Sequence, residues 1–221
     1  MGCCATTSRV ESVFNDKLAS HDLRRYRTKG PRRSTRLLVA ALKAEGVEGK
    51  TLLDIGGGIG AIQHELLDAG AASATSVEAS RPYLNAARGE SKRRGHAGRV
   101  HFRHGDFVEL APAIDAADVV TLDRVICCYA DVHGLVSESA ARTRMLYGLV
   151  YPRDTRLVRF GVTTVNLLLR LLRKPMRAFV HRVEDVERLV EAAGLRRHYL
   201  ASAGVWQVAV YQRKASPVSD R

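Results

Sequence analysis

The chain has 221 residues, 46% of them hydrophobic, a formal net charge of +12 and four cysteines in two adjacent pairs. That length and apolar content fit one well-buried domain of ordinary size rather than a disordered or fibrous chain. The absence of an 18-residue apolar run or a signal-peptide pattern leads us to expect a soluble cytoplasmic protein, and Cys3-Cys4 and Cys127-Cys128 do not form the framework of a small secreted fold.

The charge is uneven. Residues 1–36 carry nine Lys/Arg against three acids and residues 142–197 thirteen against five, whereas residues 37–141 carry ten against fourteen. A mildly acidic centre between two basic segments suggests an anionic partner, which nucleic acid, an anionic lipid surface or an acidic small molecule would each satisfy; a merely solvated basic surface is the plain alternative.

In chain order, residues 10–46 read as two helices: Val10, Val13, Phe14 and Leu18, then Leu37, Leu38, Ala41 and Leu42, recur at helical spacing. The basic run from Arg24 to Pro31 is read as the break between them. Strands are expected at Thr51–Ile55, Ala74–Glu78, Val100–Arg103, Asp118–Leu122 and Met145–Tyr151, the last stopped by Pro152. Helices are expected at Ala61–Asp68, Pro82–Arg94 and Leu135–Thr143. Such alternation implies right-handed crossovers and a parallel sheet with helices on both faces, its ligand held at the carboxyl ends of the strands. A helix over Val183–Ala193 and two runs, Arg196–Ala201 and Val205–Tyr211, close the chain; the short link between the runs makes them an antiparallel pair.

Between strand and last helix, residues 156–174 form an extra amphipathic helix too short and too charged to span a membrane. Two readings stand: a helix covering the sheet, or a lid or surface-binding helix with basic residues at its rim and peripheral membrane contact. The organisation is therefore an N-terminal helical arm over 1–46, a main domain over 47–213 with a helical insert at 153–178, and a loose tail at 214–221.

The stretch LLDIGGGIG, residues 52–60, runs an apolar strand into a glycine loop. Glycine serves where backbone must turn with positive φ or lie bare against a ligand, and a strand-to-helix glycine turn aims helix N–H groups at it. Gly56-x-Gly58-x-x-Ala61 alone fits any nucleotide loosely. Asp54 discriminates, because a buried carboxylate there would repel a pyrophosphate and favour a ligand carrying ammonium and sulfonium charge. Glu78, closing the second strand, stands where such folds hold a ribose diol. Asp106 can accept a hydrogen bond from an exocyclic amine, and Phe107 offers an apolar contact to a base.

These residues resemble the class I S-adenosylmethionine-dependent methyltransferases, with Asp54, Gly56, Gly58, Gly60, Glu78, Gly105-Asp106-Phe107 and Asp123 at the family's motif positions in order. The resemblance covers about residues 35–213. It implies a Rossmann-like, seven-stranded, mostly parallel α/β sheet with an antiparallel C-terminal hairpin. It also implies S-adenosyl-L-methionine as cofactor, with Gly56, Gly57, Gly58 and Gly60 around the methionine part, Glu78 on the ribose, Asp106 and Phe107 at the adenine, and Asp123 at the methyl end.

After the fourth strand, Asp123-Arg124-Val125-Ile126-Cys127-Cys128-Tyr129 lacks the Asn/Asp-Pro-Pro-Tyr turn of amino-methylating DNA enzymes and the Pro-Cys nucleophile of cytosine-C5 enzymes. It is more similar to the magnesium-protoporphyrin O-methyltransferase group, though Cys128 stands where that group has histidine and Ala130 where it has proline. Nucleic acid is accordingly a secondary partner and a small acceptor the primary one. O-methylation is favoured, as that resemblance implies; a carboxylate nucleophile needs no base, whereas a hydroxyl or amine does. Tyr129, His181 and Tyr26 are the candidate catalytic groups, each also readable as structural. No metal site is read; Cys127-Cys128 is most simply small-residue packing, with soft-metal or metalloid binding as the alternative. An RNA or protein methyltransferase, or a non-catalytic cofactor-binding module, are the competing readings.

Overall fold

The computed structural model describes residues 7–173 and 176–213. Cys3, Cys4, Lys174 and the expected tail at 214–221 lie outside the described residues. Helices α1 (Thr7–Val13), α2 (Asp16–Lys29) and α3 (Arg33–Ala44) precede the first strand. Then come β1 (Thr51–Ile55), α4 (Ala61–Asp68), β2 (Ser73–Glu78), α5 (Arg81–Arg93), β3 (Val100–His104), α6 (Phe107–Leu110), β4 (Ala117–Asp123), α7 (Val132–Ala141), β5 (Thr143–Pro152), α8 (Arg156–Leu171), α9 (Val183–Ala192), β6 (Leu195–Ala203) and β7 (Trp206–Arg213).

The seven strands form one sheet in the order β3-β2-β1-β4-β5-β7-β6. Strands β1 to β5 pair in parallel, and β7 lies antiparallel to both β5 and β6. Neighbouring residues on a strand point to opposite faces, so the central strands feed two cores. Leu53, Ile55, Val120, Leu122, Tyr147 and Leu149 pack with α7 and α9 on one side. Leu52, Val119, Leu146, Val150, Val208 and Val210 pack with α3 and α4 on the other.

Four features differ from the sequence expectation. The basic run does not break the N-terminal helices: Arg24 to Lys29 lies inside α2, which stops only where Gly30 turns to φ +68 ahead of Pro31. Arginine and lysine are good helix formers, and the stop needed a glycine and a proline. Helix α3 belongs to the sheet's own layer, its Leu38 and Leu42 fully buried. Its approach depends on Gly148 of β5, where a Cβ would stand 2.8 Å from Leu38 Cδ1. Helix α7 starts three residues earlier than expected, because Asp131 caps it by accepting from the Gly134 N–H at 3.0 Å. Finally, α8 does not cover the sheet: none of its residues is buried, and Leu157 is 80% exposed. Among the described residues, no helix is long and apolar enough to cross a membrane.

Candidate active site

The carboxyl ends of β1, β2, β3 and β4 share one edge, and the predicted residues gather along it. Strand β1 sits between β2 and β4, so Asp54 is enclosed by Ser76 and Thr121, its partners in register. Its Oδ1 accepts from Thr121 Oγ1 at 2.7 Å, while Asp54 Oδ2 and Ser76 Oγ have no hydrogen-bond partner among the described residues. Burial pushes the Asp54 carboxyl up to about 7; the Thr121 bond opposes this, and the charges of Asp123 and Glu78 add to it. A proton therefore sits on Asp54 at the lower end of the neutral range. A cation beside it would drive that proton off.

The loop above Asp54 is built for bare backbone. Gly56 and Gly58 have φ of +63° and +58°, and Gly60, at φ +82°, caps α4. A Cβ on Gly57 would meet Ser76 Oγ at 2.7 Å and Asp54 Oδ2 at 2.9 Å, and one on Gly56 would meet Val125 Cγ2 at 2.4 Å. The loop thus rests directly on the acid and on the turn after β4.

Glu78 fastens the same loop to β2. Its Oε2 accepts from the Gly58 N–H at 2.9 Å and its Oε1 from the Ser80 N–H at 2.8 Å. Burial raises its carboxyl above the usual range against the pull of these N–H groups. Each oxygen keeps a lone pair for a further donor.

Asp106 caps α6, its Oδ1 accepting from the Val108 N–H at 2.9 Å and from the Tyr129 hydroxyl at 2.8 Å. Phe107 is buried in the core cluster beneath the sheet edge. Asp123 joins strand to arm: Oδ2 accepts from Thr35 Oγ1 at 2.5 Å, and Oδ1 from Arg124 Nε at 3.0 Å. Arg124 itself is held at φ +62°, a left-handed conformation that a non-glycine residue adopts at a cost.

A cavity of about 90 Å³ lies between arm and glycine loop. Asp54, Gly56, Gly57, Gly58 and Asp123 line it from the sheet, and Arg25, Tyr26, Arg32 and Thr35 from α2, α3 and their link. The Arg25 guanidinium is pulled below its ordinary value by burial and by the positive charges of Arg32, Arg124 and Arg36, with Asp22 opposing. Three arginines, Arg25, Arg32 and Arg124, thus meet at the rim, Arg32 paired with Asp22 and Arg124 with Asp123. Sequence reasoning found the glycines and acids but missed Arg25, Arg32, Arg124, Thr35, Ser76 and Thr121; no local pattern marks them, because they meet the loop only through the fold.

The three catalytic candidates separate into two places. Tyr129 and His181 are neighbours: His181 Nε2 donates to the Tyr129 carbonyl at 2.9 Å, and its ring stacks on Phe179. Phe179 N–H in turn donates to the Cys127 carbonyl at 2.8 Å. With Nε2 donating, the neutral His181 ring carries its lone pair on Nδ1. The Tyr26 hydroxyl turns elsewhere, donating to Glu65 Oε1 at 3.0 Å and accepting from Arg94 at 2.9 Å. Burial and the Glu65 charge hold that phenol well above its ordinary pKa. The Cys127 and Cys128 sulfurs lie 3.7 Å apart and both point at the Arg124 carbonyl.

Residues 53–144 match the family model of the methyltransferase domain. That stretch, from β1 to the start of β5, is a methyltransferase domain by this match, and the fold around it is Rossmann-like. No curated protein matches it in sequence. Among solved structures, it is similar to magnesium protoporphyrin IX methyltransferase from Synechocystis PCC 6803 with bound S-adenosylhomocysteine, at 18% identity and a TM-score of 0.73, covering 95% of this chain and 100% of that one. An O-methyltransferase family protein from Burkholderia thailandensis matches at 18% identity and a TM-score of 0.72, over 93% of this chain and 63% of that one. A mitomycin 7-O-methyltransferase matches at 23% identity and a TM-score of 0.64, over 95% and 61%. These likenesses share the fold, with its mostly parallel sheet and antiparallel last strands. The Synechocystis enzyme has been solved with S-adenosylhomocysteine and with S-adenosylmethionine bound, which makes that cofactor the group to test against the residues here. The residues fit it: a glycine cradle that a Cβ would fill stands over a buried acid with one unpartnered oxygen.

Proposed function

We propose that this methyltransferase acts on an oxygen of a small, partly apolar, anionic acceptor. Gly56, Gly57, Gly58 and Gly60 would hold the methionine part of the cofactor, with Asp54 beneath its ammonium group and Asp123 near its methyl end. Glu78 would take the ribose hydroxyls, and Asp106, in the loop that caps α6, the adenine amine. When bound, the cofactor supplies a methyl carbon activated by the sulfonium. The protein's work is then to align the acceptor and exclude water.

The observation that carries the anionic acceptor is the convergence of Arg25, Arg32 and Arg124 on one cavity rim, with the charge of Arg36 also felt at Arg25. Crowded guanidinium groups repel one another, and an anion between them removes that repulsion. The methionine carboxylate needs one such partner, and the others serve the acceptor. Oxygen methylation is supported by the state of the candidate bases. The Tyr129 and Tyr26 hydroxyls already donate to Asp106 and Glu65, which leaves, of the three candidates, the Nδ1 lone pair of His181 as the base. A carboxylate acceptor needs no proton removed.

The test is transfer of labelled methyl to a panel of amphiphilic carboxylates, beginning with carboxylated tetrapyrroles, alongside RNA and bulk protein. Label carried by a small carboxylate as a methyl ester, and released from it by alkali as methanol, is the expected result. Label found only in alkali-stable RNA or protein products would overturn the reading.

A further inference from the structure

Helix α8 is 16 residues long, about 24 Å, yet buries none of them. At 100° per residue, Leu157, Phe160, Leu168 and Leu171 fall on one side, with Leu167 and Leu172 at its margins. Phe160 is 72% exposed and Leu171 71%. The helix is not loose. Thr155 caps it, accepting from the Val158 N–H at 3.3 Å, and a lateral arc of Val158, Val162, Asn166 and Leu169 is half-buried. Asn166 grips the following segment through both backbone groups of Ala178, each at 2.8 Å. The fold therefore holds the helix by its flank and turns its apolar side outward. Helix α9, also amphipathic, instead buries Val186 and Val190 against the core.

The charge around this face is one-sided. Residues 153–177 contain seven Lys/Arg and one acid, Asp154, and that acid is paired with Arg159. Arg153, Arg156, Arg170, Arg173 and Arg177 are exposed and form no ion pair among the described residues. We infer that α8 seats the protein on an anionic membrane surface, its leucines and Phe160 in the acyl boundary and its arginines among the headgroups. An amphipathic helix with basic residues beside a broad apolar arc is built for that interface. A second copy of the chain fits worse, because it would set two such strongly positive surfaces face to face.

Helix α8 leaves the carboxyl end of β5, on the same edge as the glycine loop, and leads into the segment bearing Phe179 and His181. Docking there turns the Tyr129 and His181 side of the site toward lipid, from which, resting on the proposed function, a partly apolar acceptor would enter.

The experiment is co-sedimentation of the full chain with phosphatidylcholine vesicles, with and without phosphatidylglycerol, repeated with Phe160→Ser/Leu168→Ser and with Arg156→Glu/Arg170→Glu. It needs no cofactor, so its outcome is separable from that of methyl transfer. All four substituted side chains are exposed, and unchanged thermal unfolding verifies that the variants fold. Expected are binding to anionic vesicles at least about tenfold tighter than to neutral ones, a loss of about tenfold or more in each double variant, and weakening with salt. Absence of wild-type binding to anionic vesicles, or binding by the Phe160→Ser/Leu168→Ser variant equal to wild type, would overturn it. So would vesicle-free sedimentation velocity showing a dimer that this variant dissolves, together with no lipid binding, since the face would then belong to a second copy.

Discussion

Asp54 gives the account a pH dependence with a defined sign. Its carboxyl titrates at about 7 in the free protein, because burial disfavours the charged form. A cofactor that places an ammonium group nearby must bind the ionised form, so binding expels a proton. If the bound-state value falls well below 6, the apparent dissociation constant varies inversely with the ionised fraction of the free protein. Raising the pH from 6 to 8 then tightens binding by about tenfold, or about 1.4 kcal/mol. The cofactor's own α-amino group titrates near 8 and opposes this trend. Calorimetric titrations of wild type and Asp54→Asn across that range share the amino-group effect, and their difference isolates Asp54. Calorimetry in two buffers of different ionisation heat should also count close to one proton released by wild type at pH 6. The same group destabilises the free fold as pH rises: its folded pKa lies above the unfolded one, so its favourable contribution is present below the ordinary value of about 3.9 and lost as pH climbs from there to about 7. A difference profile that stays flat from pH 6 to 8, with no proton release, would refute the reasoning about the acid.

Other predictions follow from single contacts. Gly57→Ala places a methyl within 2.9 Å of Ser76 Oγ and Asp54 Oδ2. It should weaken cofactor binding by about tenfold or more in an equilibrium titration, and unchanged affinity would mean that the loop is not the cradle. Gly148→Ala crowds Leu38 Cδ1 at 2.8 Å, and overpacking of this kind costs about 1–3 kcal/mol, readable by urea denaturation. A neutral effect would remove α3 from the sheet's packing layer. His64 is buried with Nδ1 3.0 Å from His96 Nδ1, and burial lowers its pKa to about 4. Its contribution is therefore present above the ordinary value of about 6.5 and lost as pH falls toward 4, up to about 3 kcal/mol. The stability difference between wild type and His64→Gln should show that slope between pH 6.5 and 4; a pH-independent difference would contradict it.

The sheet was legible in the sequence because its central strands are buried on both faces. Short apolar runs such as residues 51–55, bounded by glycines and turns, admit few other structures. The glycine loop was legible because glycine at three alternate positions reports backbone geometry directly. The continuation of α2 through Arg24–Lys29 was not, since a cluster of like charges resembles a loop while its residue types favour helix. The position of α8 was not either. Periodicity shows that a helix has an apolar side, but only packing shows whether anything covers it. Contacts that join distant segments stayed hidden for the same reason. Thr35 reaches Asp123 across 88 positions, and Tyr129 reaches Asp106 across 23. Sequence offered each residue as a candidate or passed it over, and the fold supplied the pairing.

The most direct test of the central claim is a calorimetric titration of the folded protein with S-adenosylmethionine, in parallel with Glu78→Ala and with NADH as a control ligand. The account predicts micromolar binding by wild type, weakening of about tenfold or more when the Glu78 carboxylate is removed, and no comparable binding of NADH. Failure of the wild type to bind S-adenosylmethionine, or binding indifferent to the loss of Glu78, would contradict the cofactor site proposed along the ends of β1, β2 and β3.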